Sequence, residues 1–336
     1  MPWRRFFPAT FAPRGEPLCT IRGMTSSSTP LAELNEALER LAGGADLLPS
    51  ELPVLSDLDR EQVKALEDAW PRIPDDARIK VITEAVRLSD ESVEVEFSRF
   101  AGVAIADPLA EVRGAAVEAL RESTHRTTAR LLTSVLRDDD DEEVAADAAD
   151  ILGEFVMRLE LGHFPEREGE AVVESLRGAA SDPARAPAVR ASALESLAPR
   201  TLPWIDGLVL EAYYGDDETV RLAAVRAMGL SAREDWLEYV LEQFESGDPE
   251  FRREAVIAAG EIDSEDAVDR LADLFLDAEE EVAKAAIEAT GEIGGEVALE
   301  YLREFAEEAP EGWEEVIAEA IEAASAVQRD YAEFEE

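Results

Sequence analysis

A ten-residue phrase returns along this chain at a nearly constant interval, and that period restricts the fold more than any other property. It reads Glu111-Val-Arg-Gly-Ala-Ala-Val-Glu-Ala-Leu120, then Ala188-Val-Arg-Ala-Ser-Ala-Leu-Glu-Ser-Leu197, then Thr219-Val-Arg-Leu-Ala-Ala-Val-Arg-Ala-Met228. The apolar anchors are Val112, Val144, Val189, Val220, Phe251 and Val282, at successive spacings of 32, 45, 31, 31 and 31 residues. Weaker echoes begin at Ala77 and Val316. A unit this short cannot bury its own apolar face, so such periods build arrays in which each unit is covered by its neighbours.

Within a unit, the residues three, four, seven and eight after the anchor are small: Ala223, Ala224, Ala227 and Met228, or Ala285, Ala286, Ala289 and Thr290. That spacing lines one face of a helix, and its small side chains admit a second helix closely. The stretch before each anchor supplies the bulk, as in Ile205, Leu208, Val209 and Tyr213, or Leu237, Val240, Leu241 and Phe244. Each unit is therefore predicted to be a helical hairpin. Asp107-Pro108, Asp182-Pro183 and Asp248-Pro249 offer an N-cap acceptor followed by a proline that tolerates the first turn. Gly229, Gly260 and Gly291 fall where the second helix should close in a left-handed residue. The long interval from Val144 to Val189 predicts a loop around residues 157–169.

An aspartate, a short turn, Val-Arg, then alanines and a closing Met-Gly or Leu-Gly resembles HEAT repeats, and is similar to the 31-residue subtype of the phycobilisome-lyase-like families. The resemblance implies an all-α, right-handed α-solenoid of the armadillo/HEAT kind, with about eight hairpins across this chain. Residues 1–30 read as a disordered tail, 31–76 as an N-terminal helical cap, 77–328 as the array and 329–336 as an acidic tail. Arg4, Arg5, Arg14 and Arg22 invert the charge of everything that follows, and prolines interrupt the apolar run an export signal needs. Residues 1–23 are expected to lie upstream of a natural start at Met24.

The net charge of -45 opposes binding to a phosphate backbone, whose affinity comes from cationic side chains. It fits either a salt-adapted surface or a surface for basic partners. Cys19 is the only cysteine, so no intrachain disulfide forms, and no apolar run reaches the roughly 20 residues of a membrane helix. The protein is expected in the cytoplasm.

Arg78, Arg113, Arg190, Arg221 and Arg252 each follow an anchor and should form a ladder. The expected role is structural, each pairing with an aspartate of the preceding turn such as Asp107, Asp216 or Asp248 and bracing neighbouring hairpins. Trp204, Tyr214, Arg226 and Trp236 are the candidates for partner binding, because these residue types dominate binding hot spots. Tyr214 should be the exposed member, since Tyr213 already fits the buried face. The run Asp138–Glu143 reads as a helix start favoured by the helix dipole; it lacks the glycine and distant glutamate of a calcium loop. His125 and His163, a repeat apart, make no zinc set. No nucleophile–base pair or phosphate loop is present, so neither catalysis nor a cofactor is expected. The reading is a non-catalytic intracellular scaffold or adaptor holding a protein partner on a concave face. The alternatives are a phycobilisome-lyase-like enzyme or enzyme subunit acting on a prosthetic group, implied by the resemblance, and an acidic mimic of nucleic acid.

Overall fold

The computed structural model describes residues 29–92 and 95–334. The expectations for residues 1–23, and most of the tail expected over 1–30, lie outside the described residues. Seventeen α-helices, supplemented by short 3-10 turns, form the described structure. After α1 (Pro30–Ala42) they follow one another in pairs along the sequence. The first is α2 (Arg60–Ala69) with α3 (Asp75–Glu91), followed by α4 (Ser98–Ala104) with α5 (Ala110–Glu118) and α6 (Arg126–Asp138) with α7 (Glu142–Glu160). Next come α8 (Glu166–Ser181) and α9 (Pro187–Leu197), α10 (Pro203–Tyr213) and α11 (Glu218–Leu230), and α12 (Leu237–Glu242) and α13 (Pro249–Ile262). The series ends with α14 (Val268–Ala272) and α15 (Glu280–Ile293), then α16 (Gly295–Glu308) and α17 (Glu314–Phe334). The expected acidic tail is helical as far as Phe334.

Two compact units divide the chain, one ending at Ala179 and the other running from Ala180. In the first, α3, α5 and α7 stack in turn; in the second, α9, α11, α13, α15 and α17 do so. These are the alanine-rich helices. Ala223, Ala224, Ala227 and Met228 are all buried, as are Ala285, Ala286, Ala289 and Thr290. The Thr290 hydroxyl is satisfied inside the core by donating to the Ala286 carbonyl at 2.7 Å.

Three expectations need correction. Gly229, Gly260 and Gly291 do not close their helices; they lie inside α11, α13 and α15, where the next stacked helix comes closest. A Cβ at Gly229 would sit 2.6 Å from the Ala258 Cα, and one at Gly291 2.7 Å from the Ala320 Cα, so only glycine lets these helices approach. The left-handed residues come three positions later, at Ala232, Asp263 and Gly294, with φ of 49°, 58° and 69°. The loop expected around residues 157–169 is shorter than that, only residues 161–165 lying outside the helices. The extra residues lengthen α7 and α8, because Leu152, Phe155 and Val156 continue the buried stripe and Phe155 packs edge-on against Phe164 at 5.1 Å. The Asp-Pro pairs also differ among themselves. Asp248 caps α13 with Pro249 in its first turn, whereas Asp107 and Asp182 accept the N–H two residues on and close the turn ahead of the helix. Asp141 caps α7, accepting from the N–H groups of Glu143 and Val144.

Candidate functional site

The repeats place five arginines in equivalent positions, and three of them are ion-paired in one geometry. Each donates back to a carbonyl of its own preceding turn: Arg78 to Ile73 at 2.8 Å, Arg113 to Asp107 at 3.0 Å, Arg252 to Ser246 at 2.9 Å. Each also reaches forward to an aspartate of the following repeat. Arg78 meets Asp107 at 2.7 Å, Arg113 grips Asp139 through Nε and Nη2 at 2.8 and 2.7 Å, and Arg252 holds Asp277 at 2.8 Å through both nitrogens. The buried acids thus come from the next repeat; on the preceding side the arginines use backbone oxygen, joined at Arg78 alone of these three by a carboxylate of its own turn, the exposed Asp75 at 2.9 Å. Asp248 is occupied as an N-cap, and neither it nor Asp216 receives a ladder arginine among the described residues.

The receiving aspartate always stands five residues before the next anchor: Asp107 before Val112, Asp139 before Val144, Asp277 before Val282. It does a second job there, accepting the backbone N–H two residues on, from Leu109, Asp141 and Glu279 respectively. At the same register, Arg190 faces Gly215 and Arg221 faces Ser246. Ser246 keeps the turn, its hydroxyl accepting the Asp248 N–H at 3.3 Å, but it brings no charge. Among the described residues Arg190 makes only a long contact, 3.5 Å from Nε to the Ala180 carbonyl. The Arg221 guanidinium lies 4.8 Å from the centroid of the Phe251 ring and has no ion pair among the described residues. Phe251 is the aromatic member of an otherwise valine set of anchors, which is what puts a flat π-face under that cation.

Arg221 lines a cleft of about 390 Å³ with Tyr213, Tyr214, Gly215, Glu242, Gln243 and Phe251. Tyr214, 70% exposed at the end of α10, stands edge-on to Tyr213 at 5.1 Å. Tyr213 in turn meets Tyr239 at 5.7 Å, and Tyr239 meets Trp236 at 5.7 Å, giving a continuous edge-to-face series. The Tyr213 hydroxyl accepts from Gln243 at 2.6 Å and has two acceptors within reach of its single proton, the Tyr239 carbonyl at 3.0 Å and Glu242 at 3.2 Å. Burial, with the neighbouring Glu242 carboxylate adding to it, pushes this hydroxyl up to about 12. It stays a neutral, fixed wall of the cleft.

The other expected binding residues are placed differently. Trp236 is only 5% exposed and packs beneath the Arg233 guanidinium, 5.4 Å from its ring centroid. Trp204 is half-buried on α10. Arg226 is engaged by Glu254 of α13 at 2.9 Å and Glu195 of α9 at 3.6 Å, so it ties three stacked helices together. Five residues apart on one helix, Arg221 and Arg226 point about 140° apart and serve different clefts. Only Tyr214 of the four is an open side chain at the cleft. Tyr239, Gln243 and Ser246 were not singled out by sequence, although Tyr239 follows Trp236 by three residues and so shares its helical face. Among the described residues, no group of histidines, cysteines and carboxylates is arranged to hold a metal ion, and no helix is long and apolar enough to cross a membrane.

Residues 205–289 match the family of HEAT repeats. No curated protein matches the chain. Among solved structures, the Escherichia coli protein YibA aligns at 18% identity and TM-score 0.44, covering 90% of this chain and 99% of that one. Human deoxyhypusine hydroxylase aligns at 19% identity and TM-score 0.33, covering 79% and 96%. Kap95p, in its complex with RanGDP, aligns at 15% identity and TM-score 0.44, covering 90% and 43%. The recurring phrase, the stacked hairpins and the direct match agree on the fold: the chain is an all-helical array of stacked hairpins that carries HEAT repeats, matched directly over residues 205–289.

Proposed function

We propose that the protein is a non-catalytic scaffold or adaptor that binds a protein partner, and that the cleft beside Tyr214 is where the partner engages. The observation that carries this is Tyr214 itself, an aromatic ring 70% exposed beside a guanidinium that is not ion-paired. Tyrosine and arginine are the residue types on which binding energy concentrates. The surrounding architecture supports the same reading: stacked hairpins hold side chains on rigid elements, so that surface residues vary without disturbing the core. Tyr213, Tyr239 and Trp236 back the exposed ring, so little ordering is needed when it is covered.

A photo-crosslinking amino acid in place of Tyr214, introduced in the native host, tests the proposal, with the same group at the exposed Leu276 as control. A discrete adduct at position 214 that is absent at position 276 is the expected result. Equal, diffuse labelling at both positions would remove the cleft as the docking point.

A further inference from the structure

We infer that Arg221 is a receptor for a carboxylate side chain carried by the bound partner, so that the partner supplies the acid the array itself supplies at other rungs. This rests on the cleft being the partner's docking surface. The paired rungs define what a complete rung contains: a guanidinium held by its own turn, and an aspartate five residues before the next anchor. At Arg221 the guanidinium is held in place by Phe251, while the acceptor position carries Ser246. Turn geometry does not require the loss of the acid. Ser246 accepts the N–H two residues on, as Asp107, Asp139 and Asp277 do, and its carbonyl receives Arg252 as the Asp107 carbonyl receives Arg113. The rung keeps its turn and its cation but lacks the negative charge; among the described residues it also lacks the own-turn hydrogen bond of the paired rungs, and Phe251 holds the guanidinium instead.

The cleft is fitted to take that charge from outside. Its walls, Tyr213, Tyr214 and Phe251, displace water from one side of the guanidinium, which strengthens a charged hydrogen bond to it. Its only carboxylate, Glu242, lies within reach of the Tyr213 hydroxyl and forms no ion pair with Arg221. Arginine offers a carboxylate two parallel N–H groups, the geometry already realised between Arg252 and Asp277. In the preceding repeat the aspartate is also missing: the position in register with Arg190 is Gly215, which itself lines the cleft. A chain of net charge -45 repels acidic polymers in general. The ligand is therefore a protein segment presenting a single acidic residue next to an aromatic or apolar one that covers Tyr214.

The probe is the blocked tetrapeptide acetyl-Ala-Tyr-Glu-Ala-amide, compared with its glutamine counterpart. Both are titrated into the full chain while the Arg221 Nε–H resonance is followed by NMR, assigned with Arg221→Lys. The glutamate peptide should bind about tenfold more tightly, the discrimination expected of one charged hydrogen-bonded pair. Ser246→Asp should shift the Arg221 signal in the free protein, raise the melting temperature and abolish that preference, while Ser246→Ala should retain it. Equal binding of the two peptides to the unmodified chain, or a preference surviving in Ser246→Asp, would overturn the inference. So would a dimer that Ser246→Asp dissolves, since the acid would then come from a second copy. A Tyr214 crosslink found without peptide discrimination defeats this inference alone; discrimination without a crosslinked partner defeats only the docking reading.

Discussion

At the scale of single residues, the ladder arginines look alike in sequence but differ in what surrounds them, and truncation should grade accordingly. Arg78 faces Asp107, a carboxylate with no exposed side-chain surface that also receives the Trp70 indole N–H at 2.8 Å. Arg78→Ala strands that charge in the core and is expected to cost about 3–5 kcal/mol. Arg252→Ala leaves Asp277 nearer solvent and should cost about 2–3 kcal/mol. Arg221→Ala removes only a contact with Phe251, and less than about 1 kcal/mol should be lost. Urea unfolding of the three variants orders them, and an Arg221 value matching that of Arg252 would mean that it too has an internal acid. Acid titration gives a second check. Its bond from Arg252 holds the Asp277 carboxyl below the usual aspartate range. The stability this contributes is fully present above the unfolded value of about 3.9 and is lost as pH falls through the lower folded value. The stability gap between the natural chain and Asp277→Asn should therefore close as pH falls below about 4; a constant gap would show that the pair is not what holds the carboxyl ionised. The ladder was legible from the arginine that directly follows Ala77, Val112, Val189, Val220 and Phe251, and so was the exposure of Tyr214 beside a buried Tyr213. The direction of pairing was not. An arginine's reach into the next repeat depends on where that repeat's turn lies, which a spacing of 31 does not reveal.

At the scale of the helices, the period and the small-residue stripe were enough to recover the hairpins, while their ends were misread for a physical reason. A glycine near the end of a helical pattern serves two incompatible purposes, closing the helix or admitting a neighbour, and sequence position alone does not separate them. In α11, α13 and α15 the neighbour decides. Helical glycine normally costs about 0.5–1 kcal/mol relative to alanine, so Gly207→Ala in α10, where a Cβ meets nothing within 4 Å, should stabilise by that amount. Gly291→Ala should instead destabilise by about 1–3 kcal/mol, because its Cβ would press on the Ala320 backbone and force α15 and α17 apart. Thermal melts of the pair test the contrast. If Gly291→Ala matches or exceeds Gly207→Ala in stability, the close helix approach is not what selects glycine there. The loop expected over residues 157–169, of which only 161–165 are non-helical, was overextended for a related cause. A surplus of residues is most simply read as a connection, but Leu152, Phe155 and Val156 keep the apolar stripe going and the chain stays helical where that burial continues.

For the whole molecule, the balance of 77 acidic against 32 basic residues sets a condition that no single pair removes. Three of the ladder arginines, Arg78, Arg113 and Arg252, are used in short ion pairs, and further carboxylates are neutralised locally, as where Arg121 binds Glu118 at 2.7 Å and Asp150 at 2.9 Å. A large excess of carboxylate remains, and folding concentrates it. Added salt shortens the range of that repulsion from about 10 Å at 0.1 M to about 3 Å at 1 M. The same salt weakens exposed pairs such as Arg72 with Glu39, which are worth little to begin with. It acts far less on shielded ones such as Arg78 with Asp107. Relief of the net repulsion should therefore win, and the melting temperature should rise as sodium chloride is raised from low to molar concentration. Chloride isolates the effect, because sulfate would also strengthen apolar burial. In Arg78→Ala the rise should persist, since the lost pair was not the one salt acts on. A melting temperature that falls steadily with chloride would mean that attractive pairs outweigh the excess charge, and the acidic surface would then need another explanation than tolerance of salt.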